Sequence, residues 1–340
     1  MNAIRKVLEC VPNFSEGRDI EKINAVADSI RSVHGAHLLH IDISPAANRT
    51  VMTFAGEPEA VTEAAFAAIK KAAEVIDMRE QEGVHPRIGA TDVCPLVPLY
   101  NMTMDEADEC AKKLGARVGS ELIIPVYLYE YSAAKEHRRA LPDIRKGQYE
   151  GFAEKVKLPD WRPDYGNDFN AAAGATVIGA REILVAFNIG LDTDDVSKAT
   201  YIAERVRERG YFEGKKRISG LLSKVRAIGW FMADYNSAQV SLNLLDFRES
   251  SPLKAWEACG AVANEIDVKL TGSEVIGLIP ERCLLEAGSF VSAERGEEMP
   301  KDKQLLIHYA IELLGLNKLK PFKEQEKILE YALAHAGLIG

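Results

Sequence analysis

The chain has 340 residues, a length that indicates two domains. Its composition, 47% hydrophobic and 27% charged residues, is typical of globular proteins. Its formal net charge is −9, and it has no basic stripe interleaved with aromatic residues, so the sequence argues against nucleic acid as a partner. It has no run of about 18 apolar residues, which argues against a membrane partner.

The first half of the chain predicts the element order β-α-β-β-α-β. Short apolar runs indicate the strands, and apolar residues at helical spacing, such as Val61, Ala64 and Ala68, indicate the helices. The predicted elements are a strand over Leu8–Phe14, a helix over Ile20–Ser32, strands over Ala36–Ile43 and Val51–Phe54, a helix over Glu59–Ile76 and a strand over Asp92–Leu99.

The second half repeats this order after an insertion. The insertion predicts a helix over Met104–Leu122, a strand over Ile123–Tyr129 and a helical stretch near Pro142–Lys155. The repeat predicts a strand over Ile183–Ile189, a helix over Asp195–Arg209, strands over Leu222–Met232 and Ala238–Phe247, a helix over Leu253–Ile266 and a strand over Lys269–Ile279. Two terminal helices are predicted over Lys303–Leu314 and Lys323–His335.

The repeated order predicts an α+β fold with two ferredoxin-like (βαββαβ) subdomains in tandem, because each copy is a split βαβ unit. We expect an N-terminal subdomain over residues 1–180, a C-terminal subdomain over 181–296 and a helical extension over 297–340.

The loop from Gly83 to Pro95 contains the strongest candidate for a catalytic base. Pro86 disfavours helical geometry at His85, and Gly83 and Gly89 permit backbone conformations that other residues resist. An imidazole exchanges protons near neutral pH, so His85 beside Arg87 is a candidate general base. A histidine bonded only to nearby backbone is the alternative.

A segment rich in small residues, Leu158–Ala175, follows the insertion. Its small residues allow backbone N–H groups to approach a ligand, and Tyr165 or Phe169 is suited to stacking on an aromatic ring. A domain linker explains the same composition equally well, because linkers also use proline and glycine.

The sequence lacks the motifs that are typical of several other kinds of catalysis. The sequence has no phosphate-binding loop, no G-x-G-x-x-G after a strand, no G-x-S-x-G elbow and no His or Cys cluster at metal spacing, so we expect no metal. The N-terminus lacks the apolar core of a signal peptide, and the five cysteines are an odd number without C-x-x-C spacing. We therefore expect a cytoplasmic protein with free thiols.

Four motifs in order carry a resemblance to a known family. They lie at Glu9–Gly17, Asn48–Thr50, His85–Pro95 and Pro125–Tyr129, and shorter matches continue to about Tyr331. Together they resemble the glutamate formimidoyltransferase family, the formiminotransferase domain of the formiminotransferase-cyclodeaminase family. The resemblance covers nearly the whole chain.

The resemblance implies transfer of a formimino group between 5-formimidoyltetrahydrofolate and L-glutamate in histidine degradation, with tetrahydrofolate as co-substrate. It implies that His85 is the catalytic base and that the substrate groove lies between the two subdomains. It also implies a folate-binding loop made of Gly166, Asn167, Asp168, Phe169, Asn170, Ala171, Ala172, Ala173 and Gly174.

Three further residues are candidates for substrate contact. Arg49 and Arg87 are suited to clamping a carboxylate, and Asp42 is suited to stabilising a positive amidine. A local salt bridge explains each of the three equally well.

Two departures from the family pattern leave the substrate open. Ser44–Ala47 offers fewer hydroxyl groups than the family's stretch before N-R-T, and the folate loop is shorter and poorer in Pro, Ser and Trp. The alternatives are a related transferase that uses 5-formyltetrahydrofolate or a different amine acceptor, and a folate-binding protein without catalysis. We also expect a separate cyclodeaminase to act downstream, and a homodimer by analogy alone.

Overall fold

The computed structural model describes residues 5–166 and 169–340. The chain is an α+β protein that divides into two compact units, with the boundary between Glu182 and Ile183; residues 336–338 and 340 belong to the first unit. No helix in the described part of the chain is long and apolar enough to cross a membrane.

The first unit contains one mixed sheet. Its strands are β1 (Val7–Cys10), β2 (Asn13–Phe14), β3 (Ala36–Ser44), β4 (Arg49–Gly56), β5 (Thr91–Tyr100), β6 (Val126–Leu128) and β7 (Thr176–Ala180). The order across the sheet is β3, β4, β1 with β2, β5, β7 and β6. Pairings from β3 to β5 are antiparallel, and β7 runs parallel to both β5 and β6.

Three long helices cover the core of this sheet. They are α1 (Ile20–Arg31), α2 (Pro58–Val75) and α3 (Met104–Glu121). Asp19 caps α1 by accepting hydrogen bonds from two backbone N–H groups, and Thr103 with Glu106 forms a capping box on α3. The predicted apolar face of α2 is confirmed, since Val61, Ala64 and Ala68 are fully buried.

The insertion differs from its prediction in two places. The strand predicted over Ile123–Tyr129 is limited to β6, because Ile123 has a positive φ of 53°. The helix predicted near Pro142–Lys155 is two short helices, α4 (Leu141–Arg145) and α5 (Gln148–Lys155), because Gly147 between them has a φ of 92°.

The second unit contains a four-stranded antiparallel sheet and a separate hairpin. The strands are β8 (Val185–Leu191), β9 (Tyr211–Glu213), β10 (Lys216–Ile218), β11 (Val225–Met232), β12 (Ser237–Leu244) and β13 (Leu270–Ile276). The sheet order is β11, β12, β8 and β13. The hairpin of β9 and β10 was not predicted, and it turns at Gly214, whose φ is 60°.

Seven helices belong to the described part of the second unit. They are α6 (Val196–Val206), α7 (Pro252–Glu265), α8 (Glu281–Glu294), α9 (Lys303–Leu313), α10 (Leu316–Leu319), α11 (Glu324–Lys327) and α12 (Leu329–His335). The sequence did not predict α8. The helix predicted over Lys323–His335 is interrupted at Ile328, which forms a β-bridge with Ile279.

The residues predicted as a helical extension, 297–340, contribute largely to the second unit. Ile307, Leu314 and Ile328 are fully buried in the same apolar cluster as Phe187 and Ile189 of the sheet. Burial of apolar surface therefore joins these helices to the core of that unit.

Candidate active site

His85 lies in the loop that precedes β5 and is half-buried. Its Nδ1 is 2.8 Å from the carbonyl oxygen of Pro86, to which it donates a hydrogen bond in one tautomer. In that tautomer Nε2 carries the lone pair of the ring, and this lone pair accepts a hydrogen bond from Nη1 of Arg49. Nε2 is therefore the basic atom of the ring, and it can take up a proton once Arg49 turns to another partner.

The surroundings of His85 favour its neutral form. Burial lowers the pKa of His85 well below 6.5, and the positive charges of Arg49 and Arg145 lower it further, against a smaller opposing effect of the Pro86 carbonyl. The ring is therefore neutral at neutral pH. A neutral imidazole is the form that accepts a proton from a substrate.

Arg49 begins β4 and connects His85 to β2. Nη1 lies 2.6 Å from Nδ1 of His85, and Nη2 donates to Oδ1 of Asn13. Nε is buried and has no hydrogen-bond partner among the described residues. Burial and the charge of Arg145 lower the pKa of Arg49 to about 9, and Asp92 partly offsets this. Arg49 is thus a cation that no carboxylate within the described chain pairs directly.

Asp92 and Arg145 also belong to this site, although the sequence did not single them out. Asp92 is buried at the start of β5, and its Oδ1 accepts a hydrogen bond of 3.0 Å from the backbone N–H of Ile88. Nε of Arg145 lies 3.3 Å from the same oxygen, and Nη2 of Arg145 pairs with Oδ2. The pair ties the His85 loop to α4.

The charges around the cavity do not cancel. Arg49 and Arg145 face the single carboxylate of Asp92, so one positive charge is left beside His85. Asn13, Phe14, Ser15, Ala47, Asn48, Arg49, His85, Arg87 and Asp92 line the cavity. An excess cation in a partly closed cavity favours an anionic ligand.

Arg87 and Asp42 each have a local partner. Nη2 of Arg87 donates to Oε1 of Glu150 at 2.9 Å and to the carbonyl oxygen of Gln81 at 2.5 Å. Oδ2 of Asp42 is 3.1 Å from Nε2 of His40 on the same strand. Arg87 lines the cavity with His85, whereas Asp42 is not among its lining residues.

Hydrogen bonds join three segments next to the site, residues 16–17, 47–48 and 81–83. Oδ1 of Asn48 accepts from the backbone of Gly17 at 2.9 Å, and Nδ2 donates to Oε1 of Gln81 at 2.6 Å. Oε2 of Glu16 accepts from Nε2 of Gln81 at 3.0 Å. A Cβ at Gly83 would lie 2.6 Å from the Ala47 carbonyl oxygen, so only glycine allows the backbone at position 83 to approach Ala47 this closely.

The C-terminal end of the segment that the resemblance implies to be the folate loop forms backbone hydrogen bonds with the His85 segment. Ala175 donates its N–H to the carbonyl of Ile88 at 2.9 Å, and Ala90 donates to the carbonyl of Ala173 at 2.9 Å. Gly174 has a φ of 68°, and a Cβ there would lie 2.2 Å from the Ile88 carbonyl oxygen. This loop and the His85 segment therefore position each other.

Asn170, Phe169 and Tyr165 of this segment make contacts within the first unit. Asn170 accepts a hydrogen bond from the N–H of Ala173 on its Oδ1 at 2.9 Å, which closes a tight turn. The ring of Phe169 packs 5.8 Å from that of Phe152, and Tyr165 packs against Gly115 of α3. The predicted folate contacts at Asn167 and Asp168 lie outside the described residues.

Sequence models of protein families match both units. The formiminotransferase domain, N-terminal subdomain, matches residues 7–181, and the formiminotransferase domain matches residues 186–334. The chain belongs to the formiminotransferase family. The resemblance seen in the sequence motifs is confirmed.

Named relatives of this formiminotransferase-family chain fall into two length classes. A formimidoyltransferase-cyclodeaminase of Rattus norvegicus is 42% identical over 98% of this chain, but the chain spans only 61% of its length. A glutamate formimidoyltransferase of Streptococcus pyogenes serotype M1 is 39% identical over 90% of this chain and 99% of the relative. One of Thermoplasma acidophilum is 40% identical over 84% of this chain and 91% of the relative.

Proposed function

We propose that the chain is a glutamate formimidoyltransferase, which moves a formimino group between 5-formimidoyltetrahydrofolate and L-glutamate. The observation that carries the proposal is the neutral His85 ring, oriented by Pro86 and Arg49 in a cavity with excess positive charge. Relatives of similar length that carry this name support it, as does the match of both units to the family.

The reaction needs one group that both accepts and returns a proton. Nε2 of His85 takes one proton from the glutamate ammonium, and the freed amine nitrogen attacks the carbon of the neutral amidine to form a new C–N bond. A second proton of that nitrogen passes to the amidine nitrogen, which ends as the amidinium of N-formimidoylglutamate. The imidazolium then gives its proton to N5 of the pterin as the bond from that carbon to N5 breaks. No proton is gained or lost overall, because the base is regenerated.

Arg49 is the residue we assign to a glutamate carboxylate. Its guanidinium carries a buried Nε without a partner in the described chain, and Arg binds carboxylates through two parallel hydrogen bonds. A bound carboxylate would also offset the positive charge that lowers the pKa of His85. Substrate binding then makes His85 a stronger base at the moment when a proton must be removed.

We assign weaker roles to the other predicted contacts. Arg87 pairs with Glu150, and this pair supports the His85 loop. Because Arg87 is buried and lines the cavity, it is also a second candidate for binding a substrate carboxylate. Asp42 remains a candidate for contact with the amidine. The segment from Gly166 to Gly174 remains the proposed folate loop, and its backbone bonds to Ile88 and Ala90 support a place beside His85.

The topology supports ferredoxin-like subdomains in both units. In the second unit the strands of the β-α-β-β-α-β order lie in the sequence fourth, first, third and second across the sheet, which is the arrangement of a split βαβ fold. The first unit has the same four-strand order, extended on one side by β7 and β6.

We further propose a cytoplasmic homodimer that works with a separate cyclodeaminase.

The direct test is an assay of the native chain with tetrahydrofolate and N-formimidoyl-L-glutamate, coupled to a purified cyclodeaminase. We expect turnover with this pair, and release of glutamate that matches the folate product formed. Transfer only from an N-formyl donor, or only to another amine, would contradict the proposed substrates. Binding of folate without turnover for every donor and acceptor would contradict an enzyme.

A further inference from the structure

The helix α4, whose last residue is Arg145, is too short to be stable by itself. It has five residues, and no side chain of the described residues caps its N-terminus. In a helix of this length most backbone groups lack a partner within the helix. Ile144 is buried in one apolar cluster with Phe152 of α5, so packing fixes one side of α4. The carbonyl groups at its C-terminal end require a different partner.

Lys155 of α5 is the partner of these carbonyl groups. Its Nζ donates hydrogen bonds to the carbonyl oxygens of Asp143 at 3.0 Å, Ile144 at 2.6 Å and Lys146 at 3.0 Å. An ammonium group has three N–H donors, so all three are directed at the C-terminal end of α4. A cation at this end of a helix also offsets the partial negative charge of the carbonyl oxygens.

The ammonium group of Lys155 lies in a partly enclosed place. Lys155 is half-buried, and its Nζ is 3.8 Å from the centre of the Trp161 ring, a favourable distance between a cation and an aromatic face. Burial lowers the pKa of Lys155 to about 8, against the opposing charge of Asp143 and with a smaller contribution from Lys146. At neutral pH the group is therefore still charged and retains its third donor.

The joint between α4 and α5 leaves α4 dependent on this contact. Gly147 lies at the joint with a φ of 92°, and a Cβ there would meet only Gly151, at 3.8 Å, so neighbouring atoms restrain this backbone little. The helix α5 is fixed separately, since the N–H of Tyr149 donates to the Arg87 carbonyl in the His85 loop at 2.9 Å. Lys155 connects α4 to this fixed helix across the joint.

We propose that Lys155 is a positioning residue for formimino transfer, because it fixes the turn of α4 that carries Arg145. With α4 held, the guanidinium of Arg145 stays paired with Asp92 beside His85. Asp92 in turn accepts a hydrogen bond from the backbone of Ile88 in the His85 loop. This inference rests on the proposed function, which makes His85 the base. Lys155 acts through Arg145 and takes no part in proton transfer.

The pKa of the His85 ring reports the position of Arg145. NMR titration of this ring in the full chain measures the pKa without any substrate. Arg145→Met removes a positive charge, so the pKa of His85 should rise toward 6.5. Lys155→Met should raise it by at least about half as much, because Arg145 is no longer held beside the ring. The exposed Lys157→Met should leave it unchanged.

A double variant separates positioning from the loss of the charge of Lys155 itself. Added to Arg145→Met, Lys155→Met should cause no further rise in the pKa of His85, because the residue through which it acts is absent. A further rise as large as in the native background would mean that the charge of Lys155 acts directly, and would overturn the inference. An unchanged pKa of His85 in folded Lys155→Met would overturn it too.

A gentler variant covers the case in which Lys155→Met does not fold. Lys155→Gln keeps two N–H donors and should raise the pKa of His85 by a smaller amount. An unchanged pKa in folded Lys155→Gln would then overturn the inference.

Kinetics connect the contact to the reaction. In Lys155→Met the acid limb of kcat/KM should move upward with the pKa of His85, while folate affinity is retained. A limb that stays in place while this pKa rises would contradict a role in transfer. Absence of transfer by the native chain would overturn the proposed function, and the titration would still decide whether Lys155 holds Arg145 in place.

Discussion

Nη1 of Arg49 lies 2.6 Å from Nδ1 of His85 and also contacts Nε2, so a guanidinium cation touches the proposed base. In isolation this contact weakens the base, because a nearby positive charge disfavours the imidazolium. The same cation is suited to a substrate carboxylate. The two properties connect substrate binding to proton transfer at one residue.

The pH dependence of the reaction should reveal this contact. The pKa of His85 is lowered, so the neutral, active form persists below pH 6.5 and activity is lost only as the pH falls through that lowered value. Arg49→Met removes the second cause of the shift, so the acid limb of kcat/KM should move upward, toward the usual range. The surface variant Arg31→Met should leave the limb in place, and an unmoved limb in Arg49→Met would refute the coupling.

Arg49 should also determine the affinity for the amino acid. Arg49→Lys retains the charge but loses the planar pair of donors, so KM for N-formimidoylglutamate should rise by about 10-fold or more. The dissociation constant of 5-formyltetrahydrofolate should change by less than about twofold in titrations of the same variant. Equal weakening of both ligands would indicate general damage to the site.

The Asp92–Arg145 pair should be important for stability. Asp92→Asn leaves Arg145 without its buried counter-charge, and loss of one partner of a buried pair costs about 3–5 kcal/mol. Denaturant unfolding should show a loss of this size. Glu74→Gln, which breaks an exposed ion pair with Lys71, should cost less than about 1 kcal/mol. Similar small losses in both variants would mean that the buried pair is dispensable.

Gly174 offers a matched test of the contact between the folate loop and the His85 segment. Gly174 and Gly296 have φ values of 68° and 67°, but only at Gly174 would a Cβ meet backbone, 2.2 Å from the Ile88 carbonyl oxygen. Gly296→Ala should cost about 1–2 kcal/mol of unfolding free energy from the left-handed conformation alone. Gly174→Ala should cost more and should lower kcat, and equal effects would contradict a close contact.

The sequence predicted elements with a strong local pattern. The strands β8 and β12 and the helix α2 are long enough for their apolar spacing to decide the element. The strand β7, Thr176–Ala180, was missed because all five of its residues are buried, so it lacks the alternation of apolar and polar residues that marks a half-buried strand. Its place depends on parallel pairing with β5 and β6. Its stability comes from tertiary contacts that a local window does not contain.

The sequence identified part of the candidate site and missed the contacts between residues that are distant in the chain. His85 was identified because Pro86 and Gly83 constrain its loop, and Arg49 because of its place in a motif. Asp92 and Arg145 were missed as a pair because 53 residues separate them and only the folded chain brings them together. The partner of Arg87, Glu150, is 63 residues away and was hidden for the same reason.

The most direct test of the account is single-turnover formimino transfer by His85→Ala beside the native chain. The exposed variant His308→Ala serves as the control. The account predicts a loss of about 10²–10⁴-fold in the rate of transfer, with folate affinity and melting temperature retained. Native-like transfer by a folded His85→Ala protein would contradict the assignment of His85 as the base.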